Sequence, residues 1–462
     1  MRSTPTNETL YQFHGRPPLS KAIPLALEHL VAMIVGCVTP AIIISQAVGL
    51  SADDSVLLIQ TSLVMSAICT LLQLFPIGKR FGSGLPVILG VSFAYLPSMQ
   101  AIATSGGGIS AIMGAVLVGG LVAIVVGIFT KQIRKLFPPV ITGTVVFTIG
   151  LSLYPTAINY MAGGAANTAE AVASQGLSSA LVYGSWQNWL IAGLTLAAVI
   201  VLNHYGKGIC KLASILLGML FGYVVALCFG MVDFSGVAKA GWFSLPKPLH
   251  FGISFDLSSC IALGLLFAIN SIQAIGDFTA TTVGGMNREP EDHELQGGIL
   301  AYGVGNILTA LGGGLPTATY SQNVGITSTN KVVNRIVFTF TAAFLLLAGI
   351  IPKFSAILRT IPQCVLGGAT VTVFSTIAMT GMKLIASQDM NARNTTIVGL
   401  SAALGVGVAQ SGGALQQLPE SVTMVIGKSP VVIATLMAVL LNLILPKEGE
   451  ARNGIFHRKK KS

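Results

Sequence analysis

Long apolar runs separated by short polar turns fill the chain from end to end. Runs such as "IPLALEHLVAMIVGCVTPAIIISQAV" and "VVIATLMAVLLNLIL" reach or approach the ~20 apolar residues that a bilayer core demands. The pattern predicts an all-α polytopic membrane protein with about fourteen spans. Their approximate limits are residues 22–48, 55–76, 84–101, 110–130, 137–157, 187–203, 209–231, 259–282, 295–312, 315–328, 333–352, 361–383, 394–411 and 428–446. Two segments break the pattern. "GGLPTATYSQNVGITST" (Gly313–Thr329) and "SGLPVILGVSFAY" (Ser83–Tyr95) carry glycine, proline and clustered polar side chains inside an otherwise apolar stretch.

Composition agrees with the pattern. The 462 residues are 53% hydrophobic and only 9% charged, against about 25% charged in a soluble domain. The net charge of +10 does not indicate a nucleic-acid partner, because the basic residues sit in loops and ends where they meet an anionic membrane face. With the N-terminus inside, the even-numbered junctions hold Lys79 and Arg80, Lys131, Arg134 and Lys135, Lys207 and Lys211, Arg288, Lys331 and Arg335, and Lys383 and Arg393. The tail adds Arg458 and three lysines, whereas 156–187 has no Lys or Arg. Lys239, Lys247, Lys353 and Arg359 go against the trend, but the asymmetry places both termini in the cytoplasm. The polar start, "MRSTPTNETLYQFHGRPPLSK", predicts no cleavable signal. Cys37, Cys69, Cys210, Cys228, Cys260 and Cys364 are scattered without a CxxC pair, which suits small core residues rather than metal or disulfide chemistry.

The two broken segments are copies of each other. Pro86 and Pro316 lie 230 residues apart (316 − 86), and each segment is followed by a proline-opened apolar span, "FPPVITGTVVFTIGLSL" or "IPQCVLGGATVTVF". An offset of seven spans inverts one copy relative to the other, and paired interrupted segments point to a transporter's site. Six residues after each Leu-Pro stand Ser92 and Gln322; Phe93 matches Asn323. Irregular backbone at membrane depth survives where protein or a wet cavity satisfies it. Half-helix N-termini there present N–H groups to a ligand. The alternative is that the hydroxyls only bond back to helix carbonyls.

Asp277, in "FAINSIQAIGDFTATT", is the acid lying well inside a span, and an intramembrane carboxylate is a functional candidate. Gln273 lies one turn earlier on the same face, with Asn270 and Thr281 near the stripe. This face suits amide and heterocycle recognition plus ion coupling; the plainer reading is a polar seam between helices. His29, beside Glu28 in the first span, is a structural hydrogen-bonding group or a proton carrier. His14, His204, His250, His293 and His457 carry no specific signal, and "EPEDHE" reads as a charged cytoplasmic loop beside Arg288 rather than a metal site.

Together these residues resemble the nucleobase–ascorbate transporters. "SQNVGITSTNK" is similar to their signature Q/E-N-x-G-x-x-x-x-T-R/K/G: Gln322, Asn323 and Gly325 match, whereas Asn330 stands in place of Thr and Lys331 follows. "EHLVAMIVGCVTP", "GVSFAY", "FPPVITGTVVFTIGLSL", "AIGDFTATT" and "IPQCVLGGATVTVF" extend the resemblance over nearly the whole chain. It leans toward bacterial xanthine and uric acid permeases, since purine carriers tend to have Gln at position 322. The resemblance implies two inverted repeats of seven spans, with spans 3 and 10 broken by short strands. It implies a core domain (spans 1–4 and 8–11; residues 22–135 and 257–354) moving against a gate domain (spans 5–7 and 12–14; residues 136–232 and 360–446). Residues 1–21 and 447–462 form cytoplasmic tails. By position it gives substrate roles to Ser92, Phe93, Gln273, Tyr320, Ser321, Gln322, Asn323 and Gly325, and an essential acid to Asp277.

Two residues depart from the family. Gln273 stands where a glutamate is usual, and Tyr302 where several purine members have an acid. An amide pairs with a purine edge but does not titrate. The expected protein is a non-enzymatic importer of xanthine or uric acid in the inner membrane. Asp277 and His29 are then the carriers for H+ coupling, no cofactor is needed, and a homodimer forms through the gate domain. A facilitative or differently coupled nucleobase carrier is one alternative. An anion exchanger of the same fold is another, but it would call for cations at the broken segments. An intramembrane enzyme would need a nucleophile–base pair or metal ligands at depth, and the sequence offers neither.

Overall fold

The computed structural model describes residues 7–78, 80–133, 138–174, 178–411, 414–415, 417–418 and 429–446. Lys79, Arg134, Lys135 and the basic tail at 447–462 lie outside the described residues, as do residues 1–6 of the N-terminal tail. Helices of eight or more residues are α1 (Leu19–Val48), α2 (Ala52–Leu74), α3 (Leu96–Thr104), α4 (Gly108–Ile128), α5 (Pro139–Met161), α6 (Trp186–Tyr205), α7 (Ser214–Cys228), α8 (Leu257–Met286), α9 (Asp292–Gly312), α10 (Ser321–Asn330), α11 (Arg335–Ile350), α12 (Pro352–Arg359), α13 (Gln363–Ala386), α14 (Ala392–Gln410) and α15 (Pro430–Ile444). Two three-residue strands, β1 (Leu89–Val91) and β2 (Thr317–Thr319), precede α3 and α10.

Among the described residues, seven helices are long and apolar enough to cross a bilayer: α1, α2, α4, α5, α6, α8 and α13. The pair α11–α12 makes an eighth if counted as one span bent by 80°. The bend has a local cause. Pro352 opens α12 and lacks an N–H, and Ile351 before it is held extended at φ −104° and ψ 95°. The bilayer-facing character of the helices shows in bare side chains such as Val201, Leu220, Val224 and Leu443.

The contacts divide the described chain into two compact units, Met1–Thr130 with Tyr154–Val373, and Lys131–Leu153 with Phe374–Ser462. In the first unit α4 packs tightly on α9. A Cβ at Gly120 would stand 2.8 Å from the Gly303 carbonyl oxygen, and one at Gly303 would stand 2.7 Å from that of Gly120. Small residues let the two backbones meet where no hydrophobic force between helices is available. Polar ends are closed by caps. The Asp256 carboxylate accepts from the Ser259 amide to start α8, and the hydroxyls of Ser258 and Ser259 hold that carboxyl below its usual range. In the turn between α8 and α9, Arg288 forms a two-pronged pair with Glu294 at 2.8 and 2.5 Å. Glu294 also accepts from the Glu291 amide, so this acid belongs to the helix start.

The N-terminal segment is tied down. Residues 7–11 form a 3-10 turn with Leu10 buried. The Val333 and Asn334 amides both donate to the Leu10 carbonyl, at 3.1 and 3.2 Å, and Arg335 donates to Phe13. The buried Asn334 amide reaches the carbonyls of Thr9 (2.7 Å), Gln12 (3.0 Å) and Gly15 (3.4 Å), while its oxygen accepts from Ile336 to cap α11. Asn334→Ala leaves several of these groups without partners, which costs ~1–3 kcal/mol. The expected result is a lower thermal-unfolding midpoint in detergent and faster proteolysis ahead of α1. An unchanged midpoint would show that the strap is not held by this side chain.

Candidate functional site

β1 and β2 form an antiparallel pair with register Leu89↔Thr319, Gly90↔Ala318 and Val91↔Thr317. Two strands alone leave outer edges unsatisfied, which is costly at membrane depth. Side chains from the flanking helices cover them. Thr70 of α2 both accepts from the Leu89 amide and donates to its carbonyl, each at 3.0 Å. Asn306 of α9 accepts from the Thr317 amide at 2.8 Å and donates to its carbonyl at 3.2 Å. The two strands are thus latched at both backbone groups by one polar side chain on each side.

Tyr320 braces the pair from below. Its hydroxyl donates to the Val91 carbonyl at 2.6 Å, its amide donates to Ile88, and the Cys37 thiol donates to its oxygen at 3.5 Å. Room for the ring comes from two glycines. A Cβ at Gly36 would lie 2.6 Å from the Tyr320 hydroxyl, and one at Gly90 would lie 2.9 Å from the ring and 2.5 Å from Cys37 Sγ. The Tyr320 side chain, expected at the ligand, here bonds across the strand pair.

Asp277 of α8 is buried at 7% exposure. Thr319, the last residue of β2, donates to one carboxylate oxygen, and Ser321, the first residue of α10, donates to the other at 2.8 Å. The acid therefore grips the strand–helix junction from both sides using neutral hydroxyls. Among the described residues no Lys, Arg or His forms an ion pair with it. An ionised carboxylate buried without a cation is expensive.

On the open side of this junction stand Gln322 and Gly325 of α10, both exposed, and half-buried Gln273 and exposed Gly276 of α8. A Cβ at Gly276 or Gly325 would meet nothing within 4 Å, so backbone is bare there. Ser92 is half-buried at the end of β1; its hydroxyl accepts from Ala94 and its amide donates to Pro316. Phe93 beside it is buried. The structure thus groups Gln273, Asp277, Ser321, Gln322 and Gly325 on adjoining turns of α8 and α10, and brings Ser92 in on the paired strand.

Asn323 turns inward. Its amide nitrogen donates to the His29 carbonyl at 2.9 Å and lies 3.1 Å from His29 Nδ1. Since the amide is the donor, Nδ1 accepts, and the ring proton belongs on Nε2 in the neutral form. His29 is fully buried, with its ring 4.7 Å from that of Phe338. This pair ties α1 to α10. Tyr302 is also fully buried; it shares a phenol–phenol hydrogen bond with Tyr95 and packs near Phe267. Tyr95 closes the 3-10 turn that begins at Phe93, so this bond anchors the segment after β1 to α9. The latches Thr70 and Asn306, and the glycines Gly36 and Gly90, carry no sequence signal of their own; only the fold gives them their role.

Residues 20–412 match the model described as Permease family. The xanthine permease XanQ of Escherichia coli strain K12 is 31% identical, covering 95% of this chain and 94% of that one. The uric acid permease PucK of Bacillus subtilis strain 168 is 33% identical, covering 90% and 94%. Among solved structures, the transmembrane domain of the cyanobacterial bicarbonate transporter BicA shares the fold with TM-score 0.59 at 16% identity, covering 92% of this chain and 98% of that one.

Proposed function

Because the chain belongs to the nucleobase–ascorbate transporter family, whose members are permeases and not enzymes, we propose that it is a secondary transporter importing an oxidised purine, xanthine or uric acid, by proton symport. The observation that carries this is the junction at Asp277. A carboxylate held, among the described residues, by hydroxyls alone lies one helical turn from Gln273 and beside Ser321 and Gln322. Two amides, each offering a donor and an acceptor, suit the alternating N–H and C=O edge of an oxidised purine. The lone carboxylate needs a proton or a cation to neutralise it during the cycle.

Fourteen spans in two inverted repeats of seven fit the elements. The seven long helices and the bent α11–α12 pair are joined by α9 and α14, the shorter α7 and α15, and the two strand–helix segments β1–α3 and β2–α10. The strand register supports the repeat. Leu89 pairs with Thr319, 230 residues on (319 − 89), which is the Pro86–Pro316 offset. Strands crossing at equivalent residues are what a two-fold axis in the membrane plane requires. In this reading the core (spans 1–4 and 8–11) carries substrate past the gate (spans 5–7 and 12–14) in an elevator or rocking motion. The protein sits in the inner membrane with both termini cytoplasmic and dimerises through the gate.

An anion exchanger is the rival that shares the fold. It is disfavoured because no Lys or Arg occurs between Phe81 and Thr130 or between Glu289 and Asn330. The test is radiolabelled xanthine and urate uptake in cells lacking their own purine permeases, with competing purines and a protonophore. Saturable uptake that the protonophore abolishes is expected. Bicarbonate or sulfate transport without purine uptake would overturn the reading, and accumulation that resists the protonophore would overturn the coupling.

Gln273 gives a second test. It cannot titrate, so it adds no pH dependence of its own to substrate affinity between about pH 5 and 8, the range in which a perturbed carboxyl there would change charge; any dependence in the unmodified protein comes from the coupling groups Asp277 and His29. Gln273→Glu should make affinity depend on pH and shift preference among purines. Identical profiles for the two proteins would remove residue 273 from the substrate.

A further inference from the structure

A cavity of about 310 Å³ lies within the first unit, among α1, α7, α11, α12 and the start of α13. Val38 and Ile42 of α1, Met219 and Leu220 of α7, and Phe354 and Ile357 of α12 form much of its wall. Thr39 and Tyr223 are the polar residues beside it, and the Tyr223 hydroxyl is turned to Thr360 at 2.6 Å. A purine would find almost no hydrogen-bond partner here, and water needs several. An empty hydrocarbon void of this size forfeits dispersion contacts along its lining.

We propose that this cavity holds one acyl chain of an anionic phospholipid. Its rim is continuous with the surface that meets the bilayer, since Leu220 and Ile357, both wall residues, are 51% and 43% exposed. The short helix α12, bent by 80° from α11, turns Phe354, Ile357 and Leu358 to the cavity and carries Lys353 and Arg359 near its two ends. The Lys353 ammonium sits 4.4 Å from the ring centroid of exposed Trp242. Paired Lys and Trp side chains characterise the headgroup level of a membrane, and the cations attract an anionic headgroup. The chain then enters between α7 and α12 and reaches the side of α1. Leu30, one wall residue, adjoins His29, so an occupant touches the helix that holds Asn323.

The test uses the full protein in phosphatidylethanolamine vesicles with a trace of phosphatidylglycerol bearing a diazirine midway along one acyl chain. Illumination, digestion and mass spectrometry locate the adducts. Val38 and Met219 are 4% and 5% exposed, beyond reach of bulk lipid, whereas Val224 at 56% is open to it. Adducts on Val38 and Met219 are expected to saturate with probe fraction while those on Val224 rise in proportion. Ala348→Phe, which fills the cavity from α11, should abolish the first set and spare the second. A phosphatidylcholine probe should label Val38 and Met219 less than the phosphatidylglycerol probe, and the paired Lys353→Gln, Arg359→Gln variant should erase that difference. Adducts confined to Val224, or proportional labelling at every position, would overturn the site. Equal labelling by the two probes in the unmodified protein would overturn the anionic headgroup. If Ala348→Phe does not fold, the saturation curves on the unmodified protein decide alone.

Discussion

Asp277→Asn is expected to fold, reach the membrane and lose the ability to accumulate purine against a gradient. The substitution is nearly isosteric. Thr319 and Ser321 donate to the carboxylate, but a hydroxyl is also an acceptor. One of them can rotate to take a hydrogen bond from the new amide, so the strand–helix junction stays closed and only the charge is lost. If that charge couples substrate to a proton, exchange of labelled for unlabelled purine persists while concentrative uptake disappears. The measurement is accumulation in energised vesicles beside counterflow in de-energised ones. Full accumulation by the Asn variant would make Asp277 a clamp for β2 and α10 and nothing more. Loss of surface expression would show that the junction depends on the carboxylate itself, contrary to the expected folding of the variant.

The parts of the site legible in the sequence are those with a local signature. Gly and Pro interrupting an apolar stretch mark irregular backbone, and the repeated Leu-Pro gives the spacing from which Ser92 and Gln322 are matched. An acid deep in an apolar run singles out Asp277, and helical spacing alone puts Gln273 on its face. The reach of each side chain is not local. Tyr320 stands in the polar run between Thr319 and Ser321, yet its hydroxyl crosses to Val91, 229 residues away. Gly36 and Gly90 matter because that ring passes over them, a contact no single-chain pattern encodes. Thr70 and Asn306 look like ordinary polar residues on apolar helices until the strand backbones they latch are in place. The tied-down N-terminal segment is invisible for a similar reason: its partner Asn334 lies 325 residues after Thr9. The span pattern is similarly incomplete, because α7 and α15 have only 15 residues each and β1 and β2 lie within two of the broken segments.

Gln322→Ala should leave protein level and folding unchanged and weaken purine binding by about one to two orders of magnitude. The side chain is exposed on the first turn of α10, next to Ser321, which bonds Asp277 of α8, and bare backbone at Gly325 lies one turn on. Nothing in the packing of α10 depends on it, in contrast to Asn323, whose amide joins α10 to His29 of α1. A bound purine would bury the Gln322 amide and pair with it. Truncation then leaves a substrate donor or acceptor without a partner in a dry site, at ~1–3 kcal/mol. Asn323→Ala is the contrasting variant: it should lower thermal stability as well as transport, because it cuts the tie between α1 and α10. The check is competition binding or uptake kinetics for both variants beside their unfolding midpoints. Unchanged affinity in Gln322→Ala would remove the amide from the substrate edge and leave recognition to Gln273, Ser92 and the strand backbone. A fall in stability equal to that of Asn323→Ala would show that Gln322 also serves the helix rather than the ligand.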